Sequence, residues 1–308
     1  MQDDKFRQLI NKSILERNWS DLVNRWTSFI PVIDPVGSPP DSSISEFLGF
    51  QDVANRMVER GESMTQESVD GLRETIFREA IFLLHKASHA IGCAEVAARA
   101  GAQTWSLCGA YQGSLFGAKA IAYLLGVGLP EYRSKLVMTD AWPRRQNERT
   151  SQNRRRYVPD DSGPLQFTMA AVQMGHKHFW LLFQRLLNVS KVDIWQPQYL
   201  AALRKLQVRE FASQRNIVHN RDWRWILGDL HEFVIDERFG VHEVDLHKAL
   251  IYVERSDFSI ALALAILRMG FSLIESLTHA TNKLNAEVDL MKNRLTAQYH
   301  PLYVASNL

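Results

Sequence analysis

The chain has 308 residues, 46% apolar and 23% charged, enough to bury an ordinary globular core. A net charge of +2 excludes a global field toward nucleic acid or anionic membrane, so any anion site must come from local clustering. Two cysteines, Cys93 and Cys108, exclude a disulfide scaffold and fit a reducing, cytoplasmic compartment.

The N-terminal stretch MQDDKFRQLINKSILERNW has no apolar h-region, so no secretory signal is expected. Residues 1–30 read as one or two short amphipathic helices, with Leu9, Ile10, Ile14, Leu15, Trp19, Leu22 and Trp26 at helical spacing. Residues 31–43 hold four prolines and a glycine and mark an irregular linker. Ser45–Gly61 regains helix, with Gly61 as its stop. A long helix is expected from about Glu67 to Ala100 and a second from about Gln103 to Leu125, closed by Gly126 with Pro130 beyond. On the second, Tyr111, Ser114, Leu115, Ala118, Ala122 and Leu125 share one side. Gly109, Ala110, Gly113, Gly117 and Ala118 are small enough to admit a neighbouring helix.

Residues 142–164 form a loop with an arginine-rich run, and helix is expected again over Leu165–Leu187. Pro197 starts another helix that turns Tyr199, Leu200, Leu203 and Leu206 inward. A short extended piece is expected over Glu232–Ile235 and one or two final helices over Val244–Asn285. No stretch alternates as a strand should, which gives an all-α reading: a helical bundle of residues 66–308 with a helical N-terminal extension over 1–65. Trp105–Leu129 and Phe258–Leu267 are apolar. Gln112 and Lys119 share a face of the first, and Arg268 and Glu275 break the apolar run just beyond the second. Both read as core helices, and no membrane association is expected.

No phosphate-cradling glycine loop, dinucleotide fingerprint, nucleophile elbow or paired-cysteine zinc spacing is present. His85 and His89 lie four apart on one helix face, but the sequence offers no third ligand for them, so no metal is expected. His176 and His178 point apart. Trp223, Trp225 and Phe233 read as a packing cap. Six arginines, Arg144, Arg145, Arg149, Arg154, Arg155 and Arg156, stand against the single acid Glu148 and suit RNA phosphates; the bland alternative is a solvated or partner-binding loop. Arg215 and His219 are spaced i, i+4, so a helix would project both from one face, with Asn216 and Arg221 beside them. An imidazole that titrates near neutrality can move a ribose 2′-OH proton, and a fixed guanidinium can hold a phosphate, without a metal.

Two segments together resemble HEPN domains. AYQGSLFGAKAIAYLLGV, residues 110–127, resembles the early HEPN helix, and roughly a hundred residues later Gln214-Arg215-Asn216-Ile217-Val218-His219-Asn220 looks like the active-site motif. Three residues separate Arg215 from His219, where that family usually has four to six. The resemblance implies a HEPN-like core that forms a homodimer with a composite site. In it, Arg215, Asn216 and His219 would act as a metal-independent, cofactor-free endoribonuclease, frequently within toxin–antitoxin or antiphage systems. The alternative is a non-catalytic helical subunit that regulates or binds a toxin, antitoxin or defence effector.

Overall fold

The computed structural model describes residues 2–30, 43–100, 102–143, 163–170, 175–205, 258–281, 284–286 and 288–290. Helix predominates among them, but two small sheets are present, which corrects the all-α expectation to mostly helical. The described chain falls into two units. Unit 1 takes 2–30, 43–79 and 122–192 and unit 2 takes 80–121 and the described residues from 193 onward. The N-terminal helices belong to unit 1.

In unit 1, helix α1 (Gln2–Ser13) buries Phe6 and Ile10, and Ile14 just after it is buried too; α1 packs on α6 (His176–Val189). Phe6 meets the His178 ring edge-on at 4.9 Å, and Arg185 donates to the Ile14 carbonyl at 3.2 Å. Leu15, expected on the apolar stripe, is exposed. Strand β1 (Arg17–Asn18) pairs in parallel with β7 (Ser190–Lys191). The Asn18 side chain then accepts from the Ser20 N–H at 3.0 Å and caps α2 (Trp19–Thr27), which buries Trp19, Leu22 and Trp26. A 3-10 turn (Ile44–Glu46) leads to α3 (Leu48–Arg60), which stops, as its sequence predicts, at Gly61 with φ 64°.

The larger sheet runs β2–β6–β5–β3, with β4 also on β5, and is antiparallel throughout. Its strands are β2 (Met64–Glu67), β3 (Val127–Gly128), β4 (Glu131–Tyr132), β5 (Lys135–Asp140) and β6 (Leu165–Ala170). β2 occupies the stretch just before the expected start of the long helix, which begins instead at Leu72 after Gly71 with φ 76°. β6 occupies the start of the helix expected over 165–187, because it is paired on both sides, by β2 and by β5; the helix proper is α6.

Unit 2 contains most of α4 (Leu72–Arg99) and α5 (Gln103–Leu124), with α7 (Pro197–Lys205) and α8 (Phe258–Thr281). The small residues of α5 do what their size predicts. A Cβ on Gly109 would lie 3.0 Å from Ala94 Cβ, one on Gly113 2.5 Å from Ile91, and one on Gly117 2.9 Å from Ile266 of α8. α4 and α5 thus approach nearly backbone to backbone, while against α8 the glycines seat side chains, Ile266 on Gly117 and Leu84 on Gly270. α7 starts at Pro197 as expected, and Tyr199 and Leu203 are buried. Trp195 donates to the Met269 carbonyl at 3.1 Å, and Arg268 to the Tyr199 hydroxyl at 3.3 Å. Ser259–Thr281 is the one described helix long and apolar enough to cross a membrane; 78% of its most apolar window is buried inside the protein, as in a core helix.

Candidate nucleic-acid interface

The site is built from the two central strands of the sheet. β5 ends at Asp140, which pairs with Gln166 of β6, so residues 141–164 are the connection of an antiparallel pair. That connection carries all six arginines of the run. Arg144, Arg145, Arg149, Arg154, Arg155 and Arg156 themselves lie outside the described residues; the base of the connection, residues 141–143 and 163–164, lies within them.

Arg73, in the first turn of α4, holds both ends of that base. Its Nε donates to the Ala141 carbonyl at 3.1 Å and an Nη to the Gly163 carbonyl at 2.6 Å. Its guanidinium lies over the Trp142 ring, 4.6 Å from the centroid, and 5.3 Å from that of Phe29. This joins two hydrogen bonds from a cation to two aromatic faces, each kind worth on the order of 1 kcal/mol or more where water is excluded. Arg25 approaches the same indole at 5.7 Å, and Trp26 meets it edge-on at 5.2 Å.

The strand end below is fixed by a second arginine. Arg17 donates to both oxygens of Asp140, at 3.0 and 2.7 Å, and to the Leu125 carbonyl at 3.1 Å. Asp140 also accepts the Trp142 N–H at 2.9 Å. Both side chains are buried, so each charge depends on the other. Gly126 closes this corner: its φ is 83°, and a Cβ there would sit 2.7 Å from the Trp142 ring. Nearby, burial pushes the Tyr123 hydroxyl well above the ordinary tyrosine range. The Glu79 carboxylate adds to the shift, and a backbone hydrogen bond with Leu129 opposes it.

In sequence, the arginine-dense stretch lies between the ends of two paired strands. Chemically, such a stretch can neutralise several phosphates through charge-assisted hydrogen bonds. The proposed catalytic segment, Arg215, Asn216 and His219 with Arg221, lies outside the described residues, as do Trp223, Trp225 and Phe233. Arg17, Arg73, Asp140 and Trp142 are not singled out by sequence reasoning. The hydrogen bonds of Arg17 to Asp140 and of Arg73 to the connection's base span 68 to 123 residues, and no local spacing signals such pairs.

His85 and His89 lie on α4; His89 Nε2 is 3.6 Å from Cys93 Sγ. His176 and His178 open α6. Cys93 is exposed and Cys108 half-buried, and neither is in a disulfide. Among the described residues no three His, Cys, Asp or Glu side chains converge as metal ligands do. No family model, no curated protein and no solved structure matches the chain.

Proposed function

We propose that this protein is a HEPN-like, metal-independent endoribonuclease, acting as a cytoplasmic homodimer in a toxin–antitoxin or antiphage setting. The observation that carries the RNA-binding part is the six-arginine run held on a connection whose two ends are joined by Arg73. The catalytic part rests on the Arg215–Asn216–His219 motif in the sequence.

In this reading His219 takes the proton from a ribose 2′-OH, whose oxygen attacks the adjacent phosphorus. The bond to the 5′ oxygen breaks, and that oxygen leaves as a hydroxyl after receiving a proton from an acid in the composite site. The products are a 2′,3′-cyclic phosphate and a 5′-hydroxyl end. Arg215 stabilises the charge that builds on the phosphate oxygens, and Asn216 contributes a polar contact beside it. RNA lies against Arg144, Arg145, Arg149, Arg154, Arg155, Arg156 and Arg221.

The test is RNA cleavage in EDTA, wild type against His219→Ala, with the product ends identified. Cleavage lost in the variant supports the reading. Intact RNA across structured and single-stranded substrates overturns it and leaves the helical interaction subunit as the better description.

A further inference from the structure

The solvent side of α4 is a narrow seam. Over residues 82–96 the exposed side chains are Phe82, Lys86, His89, Cys93 and Val96, and every residue between them is buried or half-buried. Their steps of 4, 3, 4 and 3 residues are those of a coiled-coil seam. At 1.5 Å per residue it runs about 21 Å along the helix. Both ends are apolar: Phe82 is 38% exposed and Val96 52%. Trp105, 60% exposed, lies one turn before Gly109 of α5, the residue that faces Ala94, so it stands toward the Val96 end. Exposed Phe, Val and Trp side chains on one rigid helix pair are the kind of anchors that protein interfaces bury.

The charge of this surface has one sign. Residues 80–121 hold a single acid, Glu95, and it is buried; against it stand Lys86, Arg99 and Lys119. A partner gains ion pairs here only by bringing acids of its own. The same seam on a second copy, facing itself across a two-fold axis, sets cation against cation. A nucleic-acid backbone calls for several cations in a row, and the seam exposes one lysine over its length. An extended peptide draws on the unpaired backbone groups of a sheet edge, whereas those of α4 are spent within the helix. A helix matches best, because its own i, i+3, i+4 and i+7 side chains repeat with the period of the seam.

We propose that the seam of α4 from Phe82 to Val96, with Trp105 beside its end, docks an acidic amphipathic helix of another protein. The apolar stripe of that helix covers Phe82, Cys93 and Val96, and a Glu or Asp on its flank meets Lys86. The surface is read without the Arg215–His219 motif and stands whether or not the chain cleaves RNA.

The experiment presents the full chain to a displayed library of helical peptides, with Leu fixed along one stripe and Glu or Lys varied freely at the flanking positions. Selection is expected to return Glu-rich peptides. One of them, synthesised and labelled, should bind the wild type about tenfold or more tighter than it binds Phe82→Asp or Val96→Asp. Lys86→Glu should shift the selection toward Lys, and Leu48→Asp, an exposed apolar position in unit 1, should leave binding unchanged. Positions 82, 86 and 96 are exposed, so these variants keep the core, and circular dichroism and thermal melts check that they do. Selection that returns nothing, Lys-rich peptides, or binding that survives Phe82→Asp and Val96→Asp overturns the proposal. Loss of self-association in Val96→Asp gives the face to a second copy, and loss of RNA binding there gives it to nucleic acid; either result also overturns it.

Discussion

Arg17 and Asp140, 123 residues apart in sequence, form a two-pronged buried ion pair, with nitrogen–oxygen distances of 3.0 and 2.7 Å. The pair joins β1 to the end of β5, so it ties the first residues of the chain to the root of the arginine-bearing connection. Removing one partner leaves the other charged and dry, which costs about 3–5 kcal/mol. Asp140→Ala is expected to lower the unfolding free energy by that amount in urea titration. The paired replacement Arg17→Met with Asp140→Leu should recover most of the loss. A double variant as weak as the single one would contradict this account.

Arg73 holds the two ends of the connection's base. Arg73→Lys keeps the charge but loses the fork that spans Ala141 and Gly163. We expect a loss of about 1–3 kcal/mol in stability. RNA affinity should fall as well, while the salt dependence of binding stays unchanged. Replacing Arg154, Arg155 and Arg156 by Ala should do the converse: stability is kept, and the slope of log K against log salt for single-stranded RNA drops by about 2. Equal slopes in both variants would remove the arginine run from the interface.

The close approach of α4, α5 and α8 rests on glycines. In Gly117→Ala the new methyl would meet Ile266 at 2.9 Å, and in Gly270→Ala it would meet Leu84 at 2.7 Å. Each change is expected to destabilise by about 1–3 kcal/mol through overpacking. Thermal melts of the two variants, alone and combined, check this.

Tyr123 gives the pH prediction. Its folded pKa is raised above the ordinary value of 10.0, first by burial and then by Glu79. The folded chain therefore keeps the proton where the unfolded chain gives it up. The stabilisation is complete below pH 10 and is lost as pH rises above it. Stability should fall steeply in that alkaline window for the wild type and less steeply for Tyr123→Phe. Urea midpoints across the window measure it, and parallel curves would refute the assignment.

The helices were legible because their signals are local. Gly61 and Gly126 end α3 and α5 where their sequences place the stops, and Pro197 opens α7. The sheet was not legible for equally concrete reasons. β5 is buried on both faces over Leu136–Asp140, so it shows no alternation. The turn from β4 to β5 uses Arg133 and Ser134, both at positive φ, in place of the Asn-Gly pair that announces such a hairpin. β6 carries Leu, Gln, Met and Ala, good helix formers, and its strand state comes from its two neighbours. The arginine run was visible as composition; the arginine that anchors it was not, because only tertiary structure brings Arg73 to Trp142.

The pairing of Arg17 with Ser190 has a consequence for synthesis. Unit 1 draws on the first thirty residues and closes only against a strand that ends at Lys191, while residues 80–121 belong to the other unit. During translation α1 and β1 therefore emerge long before α6 and β7 exist to receive them. For that interval Phe6, Ile10 and Ile14 lack the surface that later covers them. A nascent chain stalled short of residue 191 should be readily cut near its N-terminus, and one extended past the end of β7 should resist the same protease.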